Sequence, residues 1–469
     1  MKKTAALLAF LTVIPITCSA RKLNVREFVT STMSEPWAKG VTAPSGGTSD
    51  TLFVNCSKTE QTIDGFGVSF SELSARSLNL LSEKDRKKVL DELFVPGKGA
   101  NLTINRCPIG ANDFSYDFYS YDETKGDFLM KDFSISRDRE LLLPLIKEAL
   151  KRNPDMKIWS VPWCPPTWMK RNHHYAMKPA RVNDLPRSGR GREGEDMFIQ
   201  DEKYFEAYAL YFEEYIKAYR EQGVDIFMVM PQNEMNSDQN FPSCCWTSAG
   251  LNRFLEKLCP RMKALGVEVF FGTCERPNAA LVDTILTHPT VGPEIKGVGF
   301  QWRGKDALPV IRSKYPKLKY IQTEQECGNG LNDWTGATYR WQLFKHYLSN
   351  GVSIYDYWNL SLKARESSRW GWRQNSLVLV DPAEHTYRYT IEYYLLKHFS
   401  HYVLPGAKAI TLPPDKDALA FRNPDGSIIV IAANFNKEAK DLTVSISGDK
   451  TTVTLKPESF STLKITGLL

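Results

Sequence analysis

One alternation runs through most of this sequence: short apolar runs rich in Val, Ile and Phe are each followed by a longer amphipathic segment. Apolar runs of this length between turn residues are typical of buried strands, and the amphipathic segments are typical of helices. Strands that alternate with helices form parallel βα units. The eight runs span residues 62–70, 102–108, 157–163, 225–230, 267–272, 297–302, 319–323 and 352–360.

Eight βα units close most economically into a (β/α)8 barrel, whose active site lies at the carboxyl ends of the strands. The competing α/β architecture, an open doubly wound sheet, carries a Gly-rich phosphate loop after its first strand. The first run here reads "DGFGVSF", with two glycines and no third glycine that opens a helix. Helix signals fit the alternation, since Ser82 stands at an N-cap position and Gly266 at a helix end. The pattern predicts a barrel over residues 61–403.

The residue pattern changes after about residue 404, where apolar and polar residues alternate. Turn signals at residues 424–426 and 448–449 divide this stretch into short strands, which predicts an antiparallel β module over residues 404–469. A further strand pattern at 51–57 precedes the barrel, inside a region (21–60) that otherwise reads as a linker. We predict that this region pairs with the module, so that both ends of the chain build one flanking β-sandwich.

The N-terminus has the pattern of a secretory signal peptide, residues 1–20. Two lysines precede an apolar stretch from residue 5 to residue 16, which is too short to cross a bilayer, and small residues follow. Cleavage after Ala20 fits this pattern, and Cys18 leaves lipid modification open as a second possibility. We expect an exported, otherwise soluble protein that is periplasmic, secreted or held at the cell surface.

The composition excludes several classes of function. Hydrophobic residues make up 42% and charged residues 24%, as in globular proteins. The net charge of +6 is mild, and no basic stripe of the kind that binds nucleic acid is present. No His cluster or HExxH spacing indicates a metal site, and no GxSxG motif indicates a serine hydrolase. We therefore predict no metal, no other cofactor, no nucleic acid and no obligatory protein partner.

Six of the predicted barrel strands end in polar or aromatic residues, at the edge where barrel enzymes hold their active sites. Each of these residues, taken singly, is ordinary for packing or for a solvated loop. Together they converge on one mouth of the predicted barrel. In strand order they are Arg106 and Asp113, Trp163 and Trp168, Asn233 and Glu234, Gln301 and Trp302, Glu324 and Glu326, and Trp358 and Asn359.

Two carboxylates in this set, Glu234 and Glu324, follow the fourth and seventh predicted strands. Cleavage of a glycoside requires one protonated carboxyl group, which releases the leaving oxygen, and one ionised carboxylate. In a retaining enzyme the two lie about 5–5.5 Å apart. Aromatic faces such as Trp302 suit sugar rings, and amide groups suit sugar hydroxyls. The basic loop at 178–196 is either a solvated excursion or a wall of this cleft.

Nine separated stretches resemble glycoside hydrolase family 30 in order and spacing, from about residue 60 to the end. The resemblance implies a (β/α)8 barrel with a β-sandwich beside it and a retaining β-glycosidase activity, and it is strongest toward the bacterial β-1,6-glucanase members. The stretches are "DGFGVSFSELSA", "NRCPIGANDFSYDFYSY", "VPWCPPTWMK", "PQNEM", "FQW", "QTEQECGNG", "YWNLSL", "NSLVLVD" and "YYLLKHFSHYVLPGAK".

The resemblance also implies roles for individual residues. Glu234 corresponds to the general acid/base and Glu324 to the nucleophile, with Glu326, two residues further on, as the alternative nucleophile. Asn233 corresponds to a residue that hydrogen-bonds the sugar 2-hydroxyl, and Arg106 to a residue that supports the cleft. Positions that hold the glucose in glucosylceramidase-like members correspond to Asp113, Trp163, Trp358 and Asn375. The sequence departs from those members at Gln301, where they have His.

The expected substrate is a β-glucan, most specifically β-1,6-glucan, because "TEQECGNG" and "QW" resemble the β-1,6-glucanase members. Glucosylceramidase-like or other β-glucosidase or xylan-directed activity is the alternative among enzymes. A non-catalytic carbohydrate-binding protein is the alternative outside them. Such proteins lose a catalytic carboxylate, whereas this sequence has both Glu234 and Glu324.

Overall fold

The computed structural model describes residues 21–42, 44, 46 and 48–467. The predicted signal peptide, with Cys18 and the cleavage position, lies outside the described residues. Four strands precede the first helix-bearing unit and contribute to sheets away from the barrel. They are β1 (Asn24–Ser31), β2 (Ala38–Lys39), β3 (Thr48–Val54) and β4 (Thr59–Thr62).

The next eight strands form a closed parallel barrel, in which each strand pairs with its neighbours along the chain and the last pairs with the first. This confirms the predicted (β/α)8 barrel. The predicted runs differ from the observed strands by only a few residues. The strands are β5 (Gly65–Ser69), β6 (Ile104–Ile109), β7 (Lys157–Pro162), β8 (Ile226–Val229), β9 (Glu268–Cys274), β10 (Ile295–Gln301), β11 (Lys319–Glu324) and β12 (Val352–Asn359).

Gly67, in the "DGFGVSF" run, permits the close approach of β5 to β6. A Cβ atom at this position would lie 1.4 Å from the backbone oxygen of Ile104, so any side chain would force the two strands apart. The second glycine of the run therefore serves barrel closure.

Helices cover the outside of the barrel, and their ends follow the predicted signals. The Ser82 hydroxyl accepts a 3.1 Å hydrogen bond from the Asp85 amide and so caps its helix, as predicted. None of the described helices is long and apolar enough to cross a membrane. They are α1 (Glu72–Leu78), α2 (Glu83–Phe94), α3 (Leu142–Arg152), α4 (Glu202–Glu221), α5 (Ser248–Ala264), α6 (Ala279–Leu286), α7 (Leu308–Lys314), α8 (Trp334–Ser349) and α9 (Ile391–Ser400).

After the barrel, three short strands form a small sheet, and six more belong to a β-sandwich. One sandwich sheet has the order β2-β1-β21-β18-β17-β16-β4 and the other the order β20-β19-β3, so strands from both ends of the chain meet there. Within the sandwich the pairing is antiparallel except for β3 with β19, which run parallel; in the small sheet, β13 and β14 also run parallel. The strands are β13 (Ser361–Lys363), β14 (Val378–Asp381), β15 (Thr386–Tyr389), β16 (Lys408–Ile410), β17 (Ala418–Arg422), β18 (Ile428–Asn434), β19 (Lys440–Ile446), β20 (Asp449–Leu455) and β21 (Ser459–Thr466).

The sandwich has its own core, to which Leu52, Val430 and Val444 contribute fully buried side chains. It packs on the barrel through aromatic contacts and one histidine. Trp341 of α8 stacks on Phe460 of β21, with ring centroids 5.8 Å apart. The imidazole of His398 on α9 lies between the hydroxyls of Ser31 and Thr462, at 2.9 Å and 2.8 Å.

Candidate active site

A cleft of about 290 Å³ opens at the carboxyl ends of the barrel strands. Its walls carry three acidic side chains: Asp113 and Glu234 from the loops after β6 and β8, and Glu324 from the end of β11. A fourth, Glu275, follows β9. Aromatic walls come from Phe241, Trp302 and Trp372. The cleft therefore combines several carboxyl groups with flat apolar faces, in the place where barrel enzymes bind substrates.

Glu234 lies in the loop after β8, in a backbone conformation that L-residues rarely adopt. Its φ is 46°, within the left-handed region, which costs about 1–3 kcal/mol for a residue other than glycine. The Glu234 amide donates a 2.9 Å hydrogen bond to the hydroxyl of Thr273 in β9, which fixes this conformation. Only 7% of the residue is exposed. The loop therefore presents a mostly buried carboxyl group to the cleft.

Glu324 ends β11 and is bound by a buried arginine from across the barrel. Arg106 Nη1 donates hydrogen bonds to Glu324 Oε2, at 2.8 Å, and to the backbone oxygen of Thr323, at 3.0 Å. Its Nη2 donates to Asn233 Oδ1 at 2.6 Å. Arg106 has no exposed surface and is absent from the cleft lining. Arg106 therefore binds the Glu324 carboxylate and the Asn233 side-chain amide from beneath the cleft.

Gln301, at the end of β10, joins the two sides of the cleft. Its Nε2 lies 3.2 Å from Glu234 Oε1, 3.3 Å from Glu324 Oε2 and 3.4 Å from Asn233 Oδ1. The Thr323 hydroxyl donates to Gln301 Oε1 at 2.8 Å and orients the amide.

The shared nitrogen limits the distance between the two carboxyl groups. The oxygens on either side of it are at most about 6.5 Å apart, the sum of 3.2 Å and 3.3 Å, which brings the pair within reach of the about 5–5.5 Å found in retaining glycosidases. This largest possible distance between the oxygens only just reaches the separation of about 6.5–9.5 Å found in inverting glycosidases.

Different neighbouring charges shift the pKa values of Glu234 and Glu324. Burial raises the pKa of Glu234 well above its usual range, and the charges of Glu324, Glu275 and Asp113 raise it further. Burial also raises the pKa of Glu324, but the charge and hydrogen bond of Arg106 oppose this. Burial therefore favours the protonated form of both glutamates, and only Glu324 has a cation bound to it that opposes this effect.

The other predicted site residues divide into lining and supporting positions. Asp113 lines the cleft, and burial raises its pKa well above the usual range, with the charge of Glu324 raising it further. Trp163 and Trp358 are 1% exposed each, with ring centroids 5.4 Å apart. Their rings lie 4.4 Å and 5.2 Å from the Arg106 guanidinium carbon. Both lie outside the cleft lining and support Arg106.

Asn375 also lies outside the cleft lining. Its Oδ1 accepts hydrogen bonds from the amides of Gly330, at 2.8 Å, and Asn332, at 3.2 Å, and its Nδ2 donates to Glu392. Both ends of the side chain are therefore engaged in holding loops. The neighbouring residue, Gln374, lines the cleft instead.

The structure separates the two glutamates of "QTEQE". Glu326 forms an ion pair with Lys305 at 2.8 Å and accepts a 2.7 Å hydrogen bond from the Tyr339 hydroxyl. It is absent from the cleft lining, whereas Glu324 is part of it. The contacts of Glu326 are those of a residue that anchors a loop.

The basic loop at 178–196 packs against the loop that follows Glu234. Arg190 pairs with Asp238 at 2.7 Å, and the Gly194 amide donates to Asn236 Oδ1 at 2.8 Å. Glu193 binds Arg276, which lines the cleft. Residues 178–196 therefore support the loop after Glu234 and hold Arg276, but they do not themselves line the cleft.

Several lining residues were not predicted from the sequence. Glu275 and Arg276 follow the fifth barrel strand, so the same strand-end rule that found Glu234 would have found them. Gln239, Phe241 and Trp372 lie on long loops, where no strand or helix pattern gives their position. Within the described ranges, no group of three or more His, Cys, Asp or Glu side chains could hold a metal ion.

Comparisons with known proteins agree with this architecture. A family model described as "Glycosyl hydrolase family 30 TIM-barrel domain" matches residues 63–403, and one described as "Glycosyl hydrolase family 30 beta sandwich domain" matches residues 406–463. The chain is 27% identical over 411 residues to "Putative glucosylceramidase 1" of Caenorhabditis elegans, covering 82% of this chain and 76% of that protein.

Two further similarities involve glucanases. The chain is 24% identical over 365 residues to "Endo-1,6-beta-D-glucanase" of Neurospora crassa, covering 74% of this chain and 72% of that one. The solved structure of "The endo-beta1,6-glucanase BT3312" superposes with a TM-score of 0.79 at 24% identity, covering 94% of this chain and 99% of that chain. The superposition shows that the two share a fold.

Proposed function

The chain belongs to glycosyl hydrolase family 30, and we propose that it hydrolyses β-1,6-linked glucan with retention of configuration, with Glu234 as acid/base and Glu324 as nucleophile. One observation carries the proposal. The Gln301 amide nitrogen lies within 3.3 Å of an oxygen of each glutamate, which keeps the two carboxyl groups close enough for double displacement.

The first step uses the asymmetry between the two glutamates. Glu324, stabilised as a carboxylate by Arg106, attacks the anomeric carbon, and Glu234 donates its proton to the leaving glycosidic oxygen. A covalent glycosyl-enzyme forms at Glu324. In the second step Glu234, now a carboxylate, takes a proton from water, and the water oxygen displaces Glu324 from the sugar. The product keeps the β configuration because two inversions have occurred.

The Asn233 side chain has one polar group that can hydrogen-bond to the sugar. Its Oδ1 accepts hydrogen bonds from Arg106, Thr273 and Gln301. The Nδ2 is then the group available to donate to the 2-hydroxyl of the bound sugar, the hydroxyl whose contacts strengthen in the transition state. Asp113 and Trp302, both in the cleft lining, supply an acceptor for hydroxyls and a flat face for the same sugar.

Two lines of support favour β-1,6-glucan. Relatives named endo-1,6-beta-D-glucanase cover most of this chain. Gln301 also stands where glucosylceramidase-like members have His, which separates this cleft from theirs at the position between the two glutamates. Glucosylceramidase-like activity is the second candidate, because other relatives of similar coverage are named glucosylceramidases.

The proposal includes export. A polymeric glucan is met outside the cytoplasm, and the sequence pattern of residues 1–20 is that of a signal peptide. Sequencing the N-terminus of the mature protein tests this: a start at Arg21 supports free export, and a blocked, lipid-modified Cys18 supports an anchored form. A mature protein that keeps Met1 contradicts both.

The deciding experiment compares substrates and variants. The wild type is given β-1,6-glucan, β-1,3-glucan, glucuronoxylan and a glucosyl lipid, and product lengths are followed in time. We expect release from β-1,6-glucan first. Preferential release of glucose from the glucosyl lipid would support the second candidate, and binding without release from any substrate would contradict hydrolysis.

Variants then test the roles of the glutamates. We expect Glu324→Gly to be inactive and Glu234→Gly to form a β-glycosyl azide when azide is added, since azide needs no base to attack the glycosyl-enzyme. Glu326→Gly is the matched control for Glu324→Gly, because it removes a carboxylate from the same loop and leaves the cleft intact. Full activity in Glu324→Gly with loss in Glu326→Gly would reverse the nucleophile assignment.

A further inference from the structure

A third glutamate is attached to the loop that carries Glu234. Glu275 directly follows β9, lines the cleft and is 2% exposed. Its Oε1 accepts a 3.1 Å hydrogen bond from the Asn236 amide and another of 3.1 Å from the Ser237 hydroxyl. Asn236 and Ser237 lie two and three residues after Glu234. Any movement of the Glu275 carboxylate therefore moves the turn on which Glu234 stands.

The charge of Glu275 is only partly compensated. Its Oε2 is buried and has no hydrogen-bond partner among the residues that the structure describes. The nearest cation, Arg276 Nη1, lies 4.0 Å from Oε1, while the rest of that guanidinium binds Glu193. A buried carboxylate with one free oxygen is costly for a fold, so its retention in a cleft wall indicates a use beyond the anchoring of a turn.

An uncharged side chain could anchor the same turn. Both groups that Oε1 binds are donors, and a glutamine Oε1 would accept from both, with weaker hydrogen bonds than a carboxylate. The carboxylate differs from that amide in its second acceptor oxygen and in its charge, which raises the pKa of Glu234. We propose that Glu275 is a positioning residue for Glu234: it holds the turn after Glu234 and brings a second carboxylate into the same cleft wall. This inference rests on the proposed role of Glu234 as acid/base.

The groups around the two glutamates set the pH range of this effect. Burial raises the pKa of Glu275 to about 7, and Arg276 opposes the rise. Glu275 therefore ionises near neutral pH, where its charge begins to raise the proton affinity of Glu234. The charges of Glu324 and Asp113 also raise the pKa of Glu234, and Arg276, which is paired with Glu193, interacts with the charges of both glutamates. The Cys245 and Cys274 thiols are buried nearby, which raises their pKa values, and the charge of Glu275 raises them further.

Glu275→Gln separates the charge from the anchor. The test measures kcat/KM against pH on β-1,6-linked oligosaccharides for wild type, Glu275→Gln and Glu268→Gln. Glu268 is an exposed carboxylate at the other end of the same strand and serves as the control. In the profile of kcat/KM against pH, the limb on the alkaline side reports the ionisation of Glu234. We expect this basic limb to move to lower pH by about one unit in Glu275→Gln. The acid limb, which reports Glu324, should stay in place.

If Glu275 had only a structural role, its substitution would lower kcat/KM without a selective shift of the basic limb of the pH profile. Glu275→Asp keeps the charge and changes the anchor, so its basic limb should lie near that of the wild type. An unmoved basic limb in Glu275→Gln, or an equal shift in Glu275→Asp, would overturn the inference. The proposed function is tested separately: full hydrolysis by Glu234→Gln would refute the acid/base assignment itself, whatever Glu275→Gln shows.

Discussion

Arg106 Nη1 lies 2.8 Å from Glu324 Oε2, and neither side chain is more than 5% exposed. The two residues come from β6 and β11, which are not neighbours in the barrel, so the ion pair crosses its interior. The rings of Trp163 and Trp358 surround the guanidinium and keep water from it. A buried pair of this kind holds its members in place and stabilises the ionised form of the carboxyl group.

We expect Arg106→Lys to lower kcat/KM by about a hundredfold or more and to move its acid limb to higher pH. A lysine ammonium has no planar fork, so it cannot reach Glu324, Thr323 and Asn233 together. With weaker stabilisation of its carboxylate, the pKa of Glu324 rises, and the nucleophile becomes ionised only at higher pH. The measurement is the pH profile of kcat/KM. Arg152→Lys, in a partly exposed pair on α3, is the matched control, and an unmoved acid limb in Arg106→Lys would contradict the prediction.

Gln301→Leu should move both limbs of the profile to higher pH. The Gln301 amide donates to the carboxyl groups of Glu234 and Glu324, and these hydrogen bonds lower both pKa values. Leucine has a similar size but no donor, so both carboxyl groups bind their protons more tightly, and kcat falls by about tenfold to a hundredfold. The same pH series distinguishes this variant from Arg106→Lys, because only one limb moves there. A Gln301→Leu profile with one shifted limb would show that the amide serves a single carboxyl group.

The barrel could be predicted from sequence because its strands are continuous apolar runs that need no distant partner to be recognised. The same applies to the two glutamates: Glu324 follows one of those runs directly, and Glu234 follows another after three residues. Asn375 shows the limit: its position relative to the cleft depends on Glu392, Gly330 and Asn332, which a linear pattern cannot bring together.

Arg106 shows a related limit. Its place near the end of a predicted strand was evident, but its full burial depends on packing against Trp163 and Trp358, which come from other βα units. Side-chain burial inside a barrel is set by the registers of several strands together, and a single sequence does not fix those registers. The strand-end rule therefore locates a residue at the mouth without deciding whether it lines the cleft or supports it.

Trp372→Ala should raise KM for the polymer by about tenfold and change kcat little for short substrates. Trp372 lies in the cleft wall with 39% of its surface exposed, and its ring meets Phe241 edge-on at 6.1 Å. An exposed ring at the rim offers a flat apolar face to a sugar unit, and its loss removes roughly 1–1.5 kcal/mol of contact. Initial rates on long and short β-1,6-glucans provide the measurement. Tyr116→Ala, an exposed aromatic outside the cleft lining, is the control, and equal KM values for wild type and Trp372→Ala would refute the assignment.

His398→Gln should make the fold less sensitive to acid. The buried His398 imidazole bridges Ser31 and Thr462 between barrel and sandwich, and burial, together with the charges of Lys397 and His401, lowers its pKa to about 3. In the unfolded chain a histidine has a pKa of about 6.5. As the pH falls below that value, the unfolded state takes up a proton that the folded state refuses, so the free energy of unfolding decreases.

That loss amounts to about 4–5 kcal/mol by the time the pH reaches the folded pKa, since each pH unit between the two values costs about 1.36 kcal/mol. Glutamine can donate to one hydroxyl and accept from the other without titrating. We expect His398→Gln to be less stable by about 1 kcal/mol at pH 7.5, because it loses the ring contact with Trp37. Its free energy of unfolding should nevertheless fall less steeply than that of the wild type between pH 6.5 and 4.5.

Urea unfolding followed by tryptophan fluorescence at several pH values measures both slopes, with His288→Gln, at a more exposed histidine, as the control. Equal slopes in wild type and His398→Gln would mean that another group governs acid unfolding.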